Sequence, residues 1–78
     1  MKLYQYEACG YCRKVRQRLS DLLLPYESIP VPIPQHLRTE VLEVSGQHLV
    51  PVLVDGDVIL TDENDIVAYL DKTYAAPK

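Results

Sequence analysis

The chain has 78 residues, of which 47% are hydrophobic and 24% charged, and its formal net charge is −3. This length allows one domain, so we expect a single domain over residues 1–78, and the apolar content excludes a disordered chain. No apolar run is long enough for a membrane-spanning helix or for the hydrophobic region of a signal peptide, which predicts a cytoplasmic protein with no membrane partner.

Positive charge is concentrated at the start of the chain. Residues 1–18 carry five basic side chains and one acidic side chain, whereas residues 19–78 carry three basic and ten acidic side chains. Because the acidic remainder would repel phosphate, we expect no nucleic-acid partner. The basic residues around Cys12 either form a solvated helix face or, in the interpretation that we favour, raise the potential near Cys9 and attract anionic thiol substrates.

The first part of the chain alternates between strand and helix patterns. Residues 2–6 alternate in polarity and are rich in tyrosine, which predicts a short strand. A helix pattern follows until Pro25 stops it, with apolar residues at steps of three and four. The residues of this apolar stripe are Cys12, Val15, Leu19, Leu22 and Leu23. Residues 26–31 predict a second strand, so the three elements should form a parallel, right-handed unit.

A proline-rich connector follows the second strand. Prolines occupy every second position from residue 30 to residue 34, which excludes a helix interior and a central strand. We expect an extended connector that ends with Pro34 in the first turn of a second helix. Residues 45–46 should end that helix. The side chains that it should present to the core are Leu37, Val41, Leu42 and Val44.

The last part of the chain predicts a hairpin and a third helix. Two apolar runs, residues 51–54 and 57–60, flank a two-residue Asp-Gly turn, which is a strong hairpin signal. Thr61 or Asp62 then caps a helix that extends to residue 74. Its inward-facing residues should be Ile66, Val67 and Leu70. The order βαβαββα predicts an α/β fold with a four-stranded mixed sheet and three flanking helices, followed by a loose tail at residues 75–78.

Cys9 and Cys12 lie where the first strand ends and the first helix begins. A disulfide between them would close too short a loop to stabilise the chain appreciably, so their spacing indicates redox or metal chemistry. A thiolate at Cys9 would face the free amides and the positive end of the helix, which favours the charged form of its sulfur. Cys12 lies on the apolar stripe and should be more buried and less ionised. We therefore expect Cys9 to attack a disulfide and Cys12 to resolve the mixed disulfide that forms.

Two other interpretations of the cysteine pair stay open. His36 and His48 would complete a zinc site with the cysteines, but nothing in the spacing predicts that they converge. We therefore expect no metal and place both histidines at the surface. Alternatively, the cysteines only pack the start of a buried helix.

Val50 and Pro51 form the second candidate site. A proline at the start of a hairpin, after a glycine-containing loop, is well placed for a cis peptide bond in a turn. Spacing alone leaves the isomer of this bond open.

Two segments resemble known families. The motif YQYEACGYC at residues 4–12, with the following KVR, resembles the active-site segment of glutaredoxins, and the element order is that of the thioredoxin fold. Residues 46–66 resemble even more closely the N-terminal, glutathione-binding domain of glutathione transferases. The helical domain of the transferases is absent from the sequence, so the resemblance implies a free-standing glutaredoxin-like protein.

The resemblance also implies an activity. It is that of a glutathione-dependent thiol-disulfide oxidoreductase that reduces disulfide-containing or glutathionylated proteins. Glutathione would be its co-substrate, and no cofactor would be tightly bound. We expect the protein to be a monomer.

The same resemblance implies which residues surround glutathione. They are Tyr11, Arg38, Val50, Pro51, Asp62, Glu63 and Asn64. Val50 would pair its backbone with the cysteine of glutathione, and Pro51 would lie beside the first cysteine. Arg38 would receive the glycine carboxylate, and Tyr11 would flank the tripeptide. Amides at the start of the last helix would receive the glutamyl carboxylate, as helix N-termini receive anions elsewhere.

Three departures from these families suggest alternatives. Tyr6 replaces the Lys or Arg that glutaredoxins usually carry there, Glu63 places a carboxylate where transferases have a hydroxyl, and Gly10 replaces the usual proline. Family members without that proline can share an iron-sulfur cluster in a dimer, so a cluster carrier that uses Cys9 and glutathione is one alternative. The other is a thioredoxin-like protein served by a reductase, which Tyr6, Glu7 and Glu63 suggest.

Overall fold

The computed structural model describes residues 1–75. Its elements, in chain order, are β1 (Lys2–Gln5), α1 (Gly10–Asp21), β2 (Glu27–Pro30), a 3₁₀ turn (Gln35–Leu37), α2 (Thr39–Ser45), β3 (Val52–Asp55), β4 (Val58–Leu60) and α3 (Glu63–Tyr74). This order confirms the predicted βαβαββα arrangement. The tail expected at residues 75–78 lies, from residue 76 onward, outside the described residues.

The four strands form one mixed sheet in the order β2-β1-β3-β4. β1 is parallel to β2, and β3 is antiparallel to both of its neighbours. The proline-containing strand β2 therefore lies at an edge, where a missing amide donor is tolerated. Among residues 1–75 no helix has the length and apolar character to cross a membrane.

Apolar side chains cover both faces of the sheet. On one face, strand and helix residues form the larger core cluster, which consists of Leu3, Val15, Leu19, Leu53, Ile66 and Leu70. On the other face, Tyr4 and Val52 pack with Val41 of α2. Adjacent strand residues point to opposite faces, so neighbouring positions serve the two clusters. Val67, which was expected to face inward, is only half-buried and lines a surface groove beside Arg13 and Lys14.

Helix α1 ends in a Schellman motif, before the proline that was expected to stop it. The amide of Leu23 donates to the carbonyl of Ser20 at 3.0 Å, and the amide of Leu24 donates to that of Leu19 at 2.9 Å. Leu23 takes the left-handed conformation that this motif requires, with φ 56°. The prediction that Leu23 belongs to the buried stripe is therefore wrong, because this conformation turns its side chain outward and leaves it 88% exposed.

The predicted second helix is divided in two by Arg38. Pro34 immediately precedes the 3₁₀ turn, instead of lying within the first turn, and α2 begins only at Thr39. Two of its expected core residues, Leu37 and Leu42, are exposed, so that part of the prediction is wrong. Because the break changes the helical register, the predicted stripe does not continue across it.

The hairpin turn lies one residue later than predicted. Asp55 pairs with Val58 at the ends of the strands, so Gly56 and Asp57 form the two-residue loop. Gly56 has φ 61°, a conformation that glycine adopts without a Cβ clash. The glycine therefore occupies the first position of the loop, and Asp55 stays in the strand.

Asp55 connects the hairpin to α3. Its Oδ2 accepts a hydrogen bond from the hydroxyl of Tyr69 at 2.7 Å and another from the hydroxyl of Tyr74. The bonds from Tyr74 and Tyr69 hold the pKa of Asp55 below its usual range. In turn, the bond to Asp55 raises the pKa of Tyr74 to about 12.

Candidate active site

Cys9 is the N-cap residue of α1. Its backbone is extended, and its Sγ accepts a hydrogen bond from the amide of Cys12 at 3.1 Å. The sulfur thereby satisfies one of the free amides at the start of the helix. A negative charge on this sulfur would face the positive end of the helix dipole, as the sequence predicted.

Both cysteines are free thiols, and both are buried. Cys12 was expected to be more buried than Cys9. It is fully buried, but Cys9 is itself only 5% exposed, so the two thiols differ little in solvent exposure. The reason is that the side chain of Cys9 folds back over the first turn of the helix. Burial, together with the hydrogen bond with Cys9, raises the pKa of the Cys12 thiol to about 12. Cys12 therefore remains a neutral thiol at physiological pH.

Arg16 holds the loop that leads into Cys9. Its guanidinium donates hydrogen bonds to Oε1 of Gln5 at 2.5 Å, to the carbonyl of Glu7 at 3.0 Å and to the carbonyl of Tyr6 at 3.4 Å. Gln5 is buried, and its amide nitrogen donates to Oγ of Ser28 in β2 at 2.7 Å. The conformation of the cysteine loop is thus tied to the sheet through side-chain hydrogen bonds.

Two other basic residues of α1 lie close to carboxylates. Arg18 forms ion pairs with Asp71 of α3 and with Asp21, and Lys14 lies 3.9 Å from the carboxylate of Glu63. The free positive surface expected around Cys9 is therefore smaller than the sequence suggests, since several of these charges have acidic partners.

A cleft of about 210 Å³ opens beside the first turn of α1. The residues that line it are Tyr11, Leu49, Val50, Pro51, Thr61, Asp62 and Glu63. The peptide bond between Val50 and Pro51 is cis. The cleft thus brings together five of the residues that the resemblance placed around glutathione. Leu49 and Thr61 were not predicted, and their only signal in the sequence is adjacency to predicted positions.

The start of α3 caps itself. Oδ2 of Asp62 accepts hydrogen bonds from the amides of Asn64 at 3.0 Å and Asp65 at 3.2 Å. The amides of Glu63 and Asn64 were expected to receive a ligand carboxylate; in this conformation the side chain of Asp62 already accepts the hydrogen bond of the Asn64 amide. With Glu63 also present, the end of the cleft formed by α3 is acidic.

Arg38 does not line the cleft. It is only 4% exposed, and its guanidinium donates to the backbone carbonyls of Pro32 at 2.7 Å, Ile33 at 2.8 Å and His48 at 3.0 Å. The prediction that Arg38 receives the glycine carboxylate is therefore not supported. The physical reason is that the irregular loops around it present carbonyls that need donors.

The histidines do not converge on the cysteines. His36 is exposed as predicted, whereas His48 is half-buried beside Arg38. In the part of the chain that the structure describes, no three His, Cys, Asp or Glu side chains form a group able to hold a metal ion. The zinc site considered above is therefore not formed by these residues.

Comparison with known proteins extends these observations to a family. Residues 3–78 match the family model described as "Glutathione S-transferase, N-terminal domain". The chain is 35% identical to glutathione S-transferase Z1 of Arabidopsis thaliana, in an alignment that covers 99% of this chain and 36% of that protein. It is 41% identical to prostaglandin E synthase 2 of Danio rerio, which it matches along 100% of its own length and 20% of that protein.

Among solved structures, a glutathione transferase homolog from Drosophila mojavensis with bound glutathione superposes with a TM-score of 0.86 and 36% sequence identity. The match covers 94% of this chain and 34% of the other. This similarity confirms the fold that the element order predicted. The chain spans about a third or less of the length of these three proteins.

Proposed function

Because the chain belongs to the glutathione S-transferase N-terminal domain family, we propose that it binds glutathione in the cleft between α1, the Val50–Pro51 peptide and the start of α3. The solved relative with bound glutathione supports this choice of ligand. In this arrangement Tyr11 flanks the tripeptide, and the backbone of Val50 pairs with its cysteine. Of the two resemblances found in the sequence, the family match favours the one to glutathione transferases. Glutaredoxins are related to this chain only through the fold.

The acidic end of the cleft suggests how the glutamyl moiety is oriented. Asp62 binds the amides of Asn64 and Asp65, and Glu63 adds a second carboxylate next to Lys14. A ligand carboxylate would be repelled there, whereas an ammonium group would be attracted. We therefore place the ammonium of the glutamyl moiety against Glu63.

The activity that we propose is thiol-disulfide exchange with glutathione mixed disulfides. The observation that carries it is the position of the Cys9 sulfur at the positive end of α1, two residues before the cleft residue Tyr11. The Cys9 thiolate attacks the glutathione sulfur of a mixed disulfide, and the original disulfide bond breaks. The substrate thiolate leaves and takes up a proton, and Cys9 is left joined to glutathione.

A second glutathione then resolves this intermediate. Its thiolate attacks the glutathione sulfur bound to Cys9, which produces oxidised glutathione and returns Cys9 as a thiolate. This assignment replaces the predicted role of Cys12, because burial raises the pKa of the Cys12 thiol to about 12 and a protonated thiol is a poor nucleophile. In this mechanism the Cys12 side chain packs in the core, and the Cys12 amide donates a hydrogen bond to the Cys9 sulfur.

The test is the reduction of a glutathione mixed disulfide by the wild type and by two serine variants. Cys9→Ser should abolish turnover, and Cys12→Ser should retain most of it. Full activity of Cys9→Ser would contradict the mechanism. Loss of activity in Cys12→Ser would restore the originally predicted route, in which Cys12 attacks the sulfur of Cys9.

One observation favours a second candidate, a disulfide reductase that is served by another protein instead of glutathione. Because Asp62 caps α3, the two amides that it binds are not free for a glutamyl carboxylate. Calorimetric titration with glutathione distinguishes the candidates. Binding supports the first, and the absence of binding together with retained reduction of a protein disulfide supports the second.

A further inference from the structure

Two loops carry parts of the candidate site, one the Cys9 sulfur and the other the cleft residues Val50 and Pro51. The first, residues 6–9, leads from β1 into the N-cap cysteine, and the second, residues 46–51, leads from α2 to the cis peptide bond. Their relative position determines where a ligand bound beside Val50 lies with respect to the sulfur. Arg38 contacts both loops.

The contact with the first loop is made through an aromatic ring. The guanidinium carbon of Arg38 lies 5.3 Å from the centroid of the Tyr6 ring. The contact with the second loop is a hydrogen bond of 3.0 Å to the carbonyl of His48, two residues before Val50. Because Arg38 is only 4% exposed, its attraction to the ring is weakened little by water.

Tyr6 connects Arg38 to the proposed nucleophile, Cys9. Its carbonyl accepts a hydrogen bond from the amide of Cys9 at 3.1 Å and one from Arg16 at 3.4 Å. The ring of Tyr6 therefore lies against the buried Arg38, while its backbone carbonyl is bound by the half-buried Arg16. The result is a continuous path of contacts from Cys9 through Tyr6 and Arg38 to the loop that carries Val50.

We propose that Tyr6 and Arg38 form a brace that sets the position of the Cys9 loop relative to the Val50 loop. Both are positioning residues, and neither needs to touch the ligand. The proposal rests on the proposed function for its kinetic readout. It also gives a reason for an aromatic residue at position 6, where the sequence departs from glutaredoxins.

The first test separates the ring of Tyr6 from its hydroxyl. Tyr6→Phe keeps the ring and should leave kcat/KM for a glutathione mixed disulfide unchanged, whereas Tyr6→Leu should lower it about tenfold. Combining Tyr6→Leu with Arg38→Met should lower it little further, because either change already breaks the brace. Additive losses in the double variant, or equal activity of the leucine and phenylalanine variants, would overturn the proposal.

A matched control addresses stability alone. Arg18→Met also removes a partly buried arginine, from the contact between α1 and α3, and it touches neither loop. This variant should lose stability and keep the kcat/KM of the wild type. If it loses as much activity as Tyr6→Leu, the loss reflects destabilisation and the brace is rejected.

The second test separates positioning from direct binding of the glycine carboxylate by Arg38. The substrates are two mixed disulfides, one of glutathione and one of glutathione whose glycine carboxylate is amidated. A positioning role predicts that Arg38→Met lowers kcat/KM by the same factor for both. If Arg38→Met lowers kcat/KM for the glutathione substrate but not for the amidated one, Arg38 binds the glycine carboxylate and the proposal is overturned.

A third measurement does not depend on turnover. In the Cys12→Ser background, alkylation by iodoacetamide reports on Cys9, which is 5% exposed in the braced loop. Tyr6→Leu should loosen the loop and raise the alkylation rate several-fold, and Tyr6→Phe should not. Equal alkylation rates in the three proteins would reject the brace. If the rates differ as expected but the wild type does not reduce glutathione mixed disulfides, only the proposed function is rejected.

Discussion

The backbone amide of Cys12 donates a hydrogen bond to Sγ of Cys9 over 3.1 Å. One sulfur atom therefore stabilises the start of α1 and is also the proposed nucleophile. These two roles can be separated, because an oxygen atom replaces the sulfur as a cap but not as a nucleophile in thiol-disulfide exchange.

Cys9→Ser and Cys9→Ala should consequently differ in stability. Serine retains an acceptor for the Cys12 amide, whereas alanine leaves that amide without its partner. The free energy of unfolding of Cys9→Ala should therefore be about 1 kcal/mol lower than that of Cys9→Ser, as measured by urea denaturation. Equal values would show that the sulfur cap does not stabilise the helix.

The proposed orientation of glutathione can be checked at Glu63. Replacing it by Gln removes a carboxylate next to the proposed ammonium group and should weaken glutathione binding about fivefold, measured by calorimetry. Glu43→Gln removes an exposed carboxylate on α2 and should leave binding unchanged. Tighter binding by Glu63→Gln would mean that this end of the cleft repels the glutamyl carboxylate, and the orientation would have to be reversed.

The free energy of unfolding should decrease at alkaline pH as Tyr74 loses its phenol proton. Its hydrogen bond to Asp55 raises its pKa from 10.0 to about 12, so the folded state holds the phenol proton more tightly than the unfolded state. The resulting stabilisation is fully present below pH 10 and is lost as the pH rises toward 12. Tyr74→Phe should therefore reduce the dependence of the unfolding free energy on pH in this range.

This measurement needs a Cys12→Ser background. Burial raises the pKa of Cys12 from 9.0 to about 12, so this thiol contributes a loss of stability in the same direction as the pH rises. With the thiol removed, the remaining difference between Tyr and Phe at position 74 reports on the bond to Asp55. An identical pH dependence for the two proteins would contradict its contribution.

Leu23 offers a test of backbone strain. It is 88% exposed and has φ 56°, so its side chain makes few contacts while its Cβ is strained. Leu23→Gly should raise the free energy of unfolding by about 1 kcal/mol, and Leu23→Ala, which keeps the Cβ, should have little effect. Equal stability of the glycine and alanine variants would argue against strain at this position.

The order of elements and the position of Cys9 at a helix start could be predicted because they follow from local patterns. Apolar spacing, prolines and the hairpin signal each act over a few residues. The cleft beside Tyr11 and Pro51 was predicted through the resemblance, since it joins segments that are distant in the chain.

The features that the sequence did not predict depend on which hydrogen-bond partner a side chain binds when several are within reach. Asp62 was predicted both as a possible helix cap and as a neighbour of the ligand, but the sequence did not indicate that its carboxylate would bind the Asn64 amide that was expected to receive the ligand. Arg38 was expected to face glutathione, but its guanidinium donates hydrogen bonds to three backbone carbonyls instead. Residue types do not reveal which of several acceptors or donors a side chain selects, because that selection depends on the folded geometry.

The pairing of β1 with β3 has a consequence for incomplete chains. Both thiols are encoded near the start of the sequence, whereas Val50, Pro51 and the strand that follows them come much later. A nascent or truncated polypeptide that ends before Val50 therefore carries both sulfur atoms without the cleft in which we propose that glutathione binds. If the proposed function holds, such fragments should show no preference for glutathione mixed disulfides, since the cleft forms only once the third strand has paired with the first.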